Sequence, residues 1–240
     1  MYNRDYLSNN SSQDQTQDSS KERMMSFLKA TYQLFAGSLL AATAGSYIGL
    51  DIVHLLMGGV KWILFGAVLL MVIFVIPKVK HTPVINLLAL FTIAFLTGLM
   101  IAPLLASIIA MPSGASIVGQ AFLMTSIAFG SISMFAMTTK KDFSFMGNFL
   151  FASFWIIFGI GIIYSIGLAF GIVLYSSILH LFISGAIALL MCAFILYDTQ
   201  QILKGAYDSP VEAALSLYLD FFNLFTSLLQ ILGIMNSSDD

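Results

Sequence analysis

Phe194-Ile195-Leu196-Tyr197-Asp198-Thr199-Gln200-Gln201-Ile202-Leu203-Lys204-Gly205 is followed by Ser209-Pro210-Val211-Glu212 and then by Leu217-Tyr218-Leu219-Asp220. An apolar segment runs down to a basic residue and a glycine, breaks, and restarts at a serine and a proline. Each segment carries one aspartate. Asp198 and Asp220 are the only acids inside the long apolar stretches; the other ten lie in tails or short polar breaks. A carboxylate placed in hydrocarbon costs several kcal/mol, so an intramembrane acid marks a functional site by default.

The local signals define two antiparallel helices. Lys204 suits the negative end of a helix dipole and Gly205 suits a C-terminal cap. Ser209, Pro210 and Glu212 stand at cap, first and third positions of a new helix, a capping-box start. From there Ser216, Asp220, Asn223, Ser227 and Gln230 recur at steps of four and three, which lays them on one stripe of a helix otherwise made of Leu, Phe, Tyr and Ile. Lipid offers that stripe no hydrogen-bond partner, so it must face protein, and the last helix is expected at the centre of a bundle. The stripe reads equally as packing glue between helices.

Working outward, the 240 residues are 59% hydrophobic and 9% charged, against about 25% charged in soluble domains. Crossing roughly 30 Å of hydrocarbon takes about 20 apolar residues. Seven runs approach that length: about Phe27–Leu50, Trp62–Ile76, Pro83–Leu105, Ala115–Met137, Asn148–Phe170, Val173–Leu203 and Pro210–Ile234. The fold class is therefore an all-α integral membrane protein, a seven-transmembrane-helix bundle with the last helix central. Residues 23–240 form the membrane domain. Residues 1–22, rich in Ser, Asn, Gln and Asp, cannot build a core and are expected to be a disordered cytoplasmic tail.

Loop charge sets the orientation. Arg4, Lys21, Arg23, Lys29, Lys78, Lys80, Lys140, Lys141 and Lys204 fall on the N-terminal side, and Lys61 alone on the other. The N-terminus is expected in the cytoplasm and the C-terminus outside. A net charge of −2 points to no nucleic-acid partner, and a single cysteine, Cys192, excludes an internal disulfide and a Cys-based zinc site. Gly167 and Gly171 are spaced as a small-residue contact face.

Asp198 and Asp220 come to similar depth in the cytoplasmic half if the two helices pack together, with Gln201 one turn below Asp198. On the face above it stand apolar Phe194 or Ile195, Met191 and Ile187, then Ser184, His180 and Ser177. The pattern is a polar inner pocket, an apolar plug and a polar outer vestibule. His180, about 27 Å from Asp198 along the helix, is too distant to pair with it and is expected to bond between helices.

Two acids in hydrogen-bonding contact in a low dielectric cannot both ionise cheaply and share a proton. Protonated, the pair ties two helices; doubly ionised, it repels and offers hard oxygens to a divalent cation such as Ca²⁺. A third chemistry is that of an intramembrane aspartyl protease, one acid activating water and the other donating a proton. Tyr197-Asp198 matches half of that pattern, but the residues before Asp220 lack the Gly-x-Gly and no Pro-Ala-Leu follows.

Tyr197-Asp198-Thr199-Gln200, Ala214, Leu217-Tyr218-Leu219-Asp220, Asn223-Leu224-Phe225, Leu228-Leu229 and Ile231-Leu232-Gly233 together resemble the Bax inhibitor-1 family. Gly98 with Pro103-Leu104, and Thr138-Thr139-Lys140-Lys141-Asp142 with Gly147, extend the likeness over about residues 25–234. The resemblance implies a bacterial inner-membrane protein, not an enzyme and without a cofactor, whose seventh helix is enclosed by the other six. It implies a pH-sensitive calcium leak with Asp198 and Asp220 as sensor, gate and transient Ca²⁺ contact, supported by Ser216, Asn223, Ser227 and Gln201. The family's second-helix arginine has no counterpart here; Lys78 and Lys80 are the latch cations nearest that position. Ca²⁺, protons and the bilayer are the implied partners. Some bacterial relatives modulate an FtsH-type AAA+ membrane protease in a stress response, a role the N-terminal tail would suit.

Overall fold

The computed structural model describes residues 4–79, 82–172 and 176–237, and all regular structure among them is helical. In chain order the helices are α1 Arg4–Asp51, α2 Val53–Leu56, α3 Gly59–Leu70, α4 Ile76–Val79, α5 Pro83–Ile109, α6 Gly114–Thr138, α7 Gly147–Ala169, α8 Ser177–Leu203 and α9 Pro210–Ser237. A π-turn, Met71–Val75, joins α3 to α4. Pro77 cannot donate to the Ile73 carbonyl and its ring crowds that turn, which is the physical reason for the local widening.

Six segments are long and apolar enough to cross a membrane: Gly59–Val79, Pro83–Ile109, Gly114–Thr138, Ser144–Leu168, Ser177–Leu203 and Pro210–Ser237. The seventh expected span, Phe27–Leu50, is the second half of α1. It is helical, but Gly37, Ser38, Thr43, Gly45, Ser46 and Gly49 dilute its apolarity. Those small residues serve another purpose. A Cβ on Gly98 of α5 would lie 2.1 Å from the Ala42 carbonyl oxygen, and one on Gly45 would lie 2.2 Å from that of Phe95. The backbones of α1 and α5 touch, as small residues allow in membranes, and this is the most extensive helix pair in the molecule.

α1 itself runs from Arg4, ahead of its apolar half. No Gly or Pro lies between residues 4 and 36, so a helix begun on the apolar half meets no breaker; polar composition argues against a core, not against a helix. The structure departs from two expectations. The enclosure of α9 is by four helices rather than six. It packs mainly on α1, α5, α6 and α8, while α3 joins through α5 and α7 through α8. α3 and α7 carry exposed Ile63, Leu70, Phe151, Ile156 and Ile163 outward, where lipid replaces a protein neighbour. Finally, Gly171 is no contact face. It takes φ of 68° and ends α7, with the Ile172 N–H on the Gly167 carbonyl at 2.9 Å, the αL stop that glycine adopts without strain.

Tyr218 fixes α9 against α5. Its ring is fully buried, and its hydroxyl meets Thr97 Oγ1 and donates to the Ala94 carbonyl at 3.3 Å. Asn86 Nδ2 donates to Ser209 Oγ at 3.4 Å, tying the first turns of the same two helices.

Candidate functional site: a buried acid pair and its clamps

The break between α8 and α9 forms as the residues dictate. Gly205, at φ of 71°, follows the last turn of α8; its N–H reaches the Ile202 carbonyl and that of Ala206 the Gln201 carbonyl, both at 3.0 Å. This is a Schellman cap. Ser209 Oγ accepts from Val211 N–H at 3.2 Å, opening α9 at Pro210. Asp198 lies five residues from the end of α8 and Asp220 ten from the start of α9, so α9 begins roughly 7 Å beyond the end of α8. The six-residue connection absorbs that offset and the aspartates face each other.

Both side chains are 6% exposed, and the two carboxyl groups are close enough to act on one another. Two carboxylates are acceptors only, so any bond between them requires one proton. Asp220 Oδ2 is buried and has no hydrogen-bond partner among the described residues. Asp198 is held further: Ser216 Oγ donates to Asp198 Oδ2, and the Tyr207 hydroxyl donates to Ser216 Oγ at 3.0 Å. Burial pushes the Tyr207 phenol up, with the charge of Asp198 adding to it, so Tyr207 remains a donor. The chain Tyr207–Ser216–Asp198–Asp220 therefore runs from the α8–α9 connection into the core.

Aromatic rings close one side. Phe35 of α1 stacks on Phe129 of α6 at 4.9 Å, and Phe221, beside Asp220, sits edge-on to both at 5.7 and 5.6 Å. A polar contact crosses nearby, Thr199 Oγ1 donating to Ser133 Oγ at 3.4 Å and joining α8 to α6.

The remaining expected residues divide. Ser216 joins the pair directly. Ser227 is buried on the same stripe, Asn223 opens into a cavity, and Gln230 accepts from Ser184 Oγ at 2.7 Å. His180 hydrogen-bonds Gln230, the inter-helix role expected of it. Gln201 is half-buried, and its backbone carbonyl serves the cap of α8. Lys78 is exposed at the end of α4 and makes no ion pair with either aspartate among the described residues; Lys80 lies outside them. No group of three or more His, Cys, Asp or Glu gathers among the described residues. Two carboxylates fall short of the about six to eight oxygens of a resident Ca²⁺ site.

Sequence reasoning missed the clamp on the other face of the same turn. Gln200 Nε2 donates to the Lys141 carbonyl at 2.8 Å, and its Oε1 accepts from Phe143 N–H at 2.9 Å. Lys204 Nζ pairs with Asp142 and donates to Ser144 Oγ at 2.6 Å. The Tyr197 hydroxyl lies where a Cβ on Gly147 would come within 2.6 Å. Residues on both sides of Asp198 thus bind the α6–α7 connection. The sequence signal was present in the polar run around Asp198, but its partner lay some 60 positions away.

The clamp is not a neutral-pH switch. The Lys204 ammonium and the Ser144 N–H hold the Asp142 carboxyl down at about 2. A depressed acid contributes its stabilisation above its ordinary value and loses it as pH falls through about 2, so the ion pair is constant between pH 6 and 8. Gln200→Ala removes two bonds to loop backbone, each worth about 1 kcal/mol. Amide exchange at Phe143 should quicken about tenfold or more, with exchange in the middle of α9 unchanged.

Comparison with known proteins agrees with this architecture. The family model described as inhibitor of apoptosis-promoting Bax1 matches residues 24–237. An uncharacterized protein of Campylobacter jejuni is 42% identical over 240 residues, 99% of both chains. An uncharacterized membrane protein of Vibrio cholerae is 36% identical over 231 residues, covering 93% of this chain and 97% of its own. A Golgi anti-apoptotic protein of vaccinia virus is 31% identical over 220 residues, 88% of this chain and 86% of its own. With six helices able to span a bilayer and a family match over nearly all of its length, the chain is an integral membrane protein that belongs to the Bax inhibitor-1 family.

Proposed function

We propose that the protein is a pH-sensitive Ca²⁺ leak of a bacterial inner membrane, non-enzymatic, with its N-terminus in the cytoplasm, and that the Asp198–Asp220 pair is its gate. The observation that carries this reading is the burial of two mutually interacting aspartates, one on α8 and one on α9. One proton holds the two helices together. Its loss leaves two like charges in contact, separates the helices and presents hard oxygens to a passing divalent cation. The polarity of the gate follows: flux rises with pH.

The test is Ca²⁺ entry into liposomes holding the purified full chain, followed from about pH 6 to pH 8. Asp198→Asn with Asp220→Asn keeps hydrogen-bonding groups and removes the titration, and its flux should be independent of pH. A double variant that still responds to pH as the wild type does would falsify the gate.

A second reading is favoured by α1, which continues as a helix to Arg4. Extended from the membrane half, it supplies a handle for a membrane-anchored AAA+ protease that this protein would modulate. Deleting residues 1–22 should then lower co-purification with the protease and change its substrate turnover. Unchanged association and turnover sink this version.

A further inference from the structure

A carboxyl pair that is 6% exposed answers pH only if protons can reach it. A bare proton does not cross hydrocarbon, so the supply must run along hydrogen-bonding groups. Phe35, Phe129 and Phe221 close one side of the pair. Outward, a cavity of about 90 Å³ lies among Phe154, Ile187, Met191 and Asn223, and neither aspartate is in its wall. Neither lines the outer pocket of about 160 Å³ at Ser107, His180 and Gln230.

One polar line does reach Asp198. Tyr207 stands in the α8–α9 connection, half-buried, between exposed Ala206 and Asp208. Its hydroxyl donates to Ser216 Oγ at 3.0 Å, and Ser216 Oγ donates to Asp198 Oδ2. Ser216 is about 9 Å into α9, so the two oxygens bridge the depth between the connection and the pair. A hydroxyl accepts one hydrogen bond while it donates another, and here both donate toward the acid. The titratable groups acting on Asp198 are Asp220 of α9 and Tyr207 itself. Among the described residues α1, α6 and α7 contribute none, and Lys204 pairs with Asp142 on the other face of the turn.

We propose that Tyr207 and Ser216 are the proton path of the acid pair, opening at the α8–α9 connection. This rests on the reading of the pair as a gate. A hydronium ion gives a proton to Tyr207 Oη and leaves as water. The phenol's own proton passes to Ser216 Oγ, and the serine's own proton passes to the Asp198 carboxylate. Both hydroxyls end as they began, Asp198 gains one proton, and release runs the same line backwards. Burial pushes the Tyr207 phenol up, so it stays protonated and no phenolate is left behind. Loss of a path slows uptake and release by the same factor. Loss of a mere support shifts the balance between them.

The experiment is a pH jump on the purified full chain in lipid nanodiscs, followed by time-resolved infrared absorption. The protonated-carboxyl band that disappears in Asp198→Asn with Asp220→Asn reports the pair. At each variant's own midpoint, Tyr207→Phe and Ser216→Ala should slow the rise and the decay of that band alike, by at least about tenfold. Ser216→Thr, which restores a hydroxyl, should bring both rates back to within about threefold of wild type. Wild-type rates in Tyr207→Phe overturn the path. So does a shifted midpoint with one of the two rates unchanged, the mark of a hydrogen bond that only supports Asp198. If no band is lost in the double variant, the pair does not titrate, and the gate falls together with the path. If the band titrates with the expected slowing while Ca²⁺ flux ignores pH, the gate fails and the path stands. Should Ser216→Ala not fold, Tyr207→Phe against Ser216→Thr decides.

Discussion

Gly98→Val should leave almost no folded protein. The substituted Cβ would lie 2.1 Å from the Ala42 carbonyl oxygen and 2.9 Å from the Ala42 Cα. Both are backbone atoms, so no rotamer relieves the clash. α1 must move off α5 along their whole crossing, where a Cβ on Gly45 would lie 2.2 Å from the Phe95 carbonyl oxygen and one on Gly49 2.5 Å from the Ala102 Cβ. Overpacking in ordinary cores costs about 1–3 kcal/mol, and a backbone-to-backbone clash belongs at or above the upper end. A loss of about 3 kcal/mol or more is a large share of the roughly 5–15 kcal/mol that holds a typical fold. The measurement is thermal unfolding and monodisperse yield in detergent. Gly130→Ala on α6 is the control: a Cβ there meets nothing within 4 Å, and the helix should gain about 0.5–1 kcal/mol from the lost backbone freedom. Equal stability of Gly98→Val and wild type would contradict the close crossing.

The second large effect belongs to the acid pair, where the three variants separate bonding from charge. In Asp220→Asn the amide donates to the Asp198 carboxylate at every pH. The helices stay joined, and flux should remain at its low-pH level from pH 6 to pH 8. Asp198→Asn is expected to match it, with Ser216 still present to bond the new side chain. The double variant is likewise flat, because nothing titrates. In the wild type one proton links gate to pH, and linkage limits the response to about tenfold per pH unit. Over two units the difference between wild type and either single variant can therefore reach about a hundredfold at pH 8. Asp142 supplies an internal control: its pairing with Lys204 holds its carboxyl at about 2, so Asp142→Asn should loosen the α6–α7 connection without moving the pH midpoint.

Much of this site was legible because its signals are local. The glycine stop after Lys204, the serine cap before Pro210 and the polar stripe from Ser216 to Gln230 need only the geometry of one helix, and each appears where the spacing places it. His180 likewise could be removed from the pair by counting residues. The α6–α7 clamp could not be found in this way. Gln200 meets Lys141 and Phe143 across 59 and 57 positions, and no periodicity in either segment announces the other.

From its sequence alone this protein declares a membrane bundle, the ends of its last two helices and two acids that must turn inward, because the cost of a charge or a bare amide in hydrocarbon allows few alternatives. Only the tertiary structure decided which carboxyl faces which, that four helices rather than six enclose α9, and that the plug contains a cavity beside Asn223. Those outcomes depend on offsets of a few ångströms between helices, set by backbone contacts such as Gly98 on Ala42. Such offsets belong to pairs of surfaces, and a single helix does not encode them.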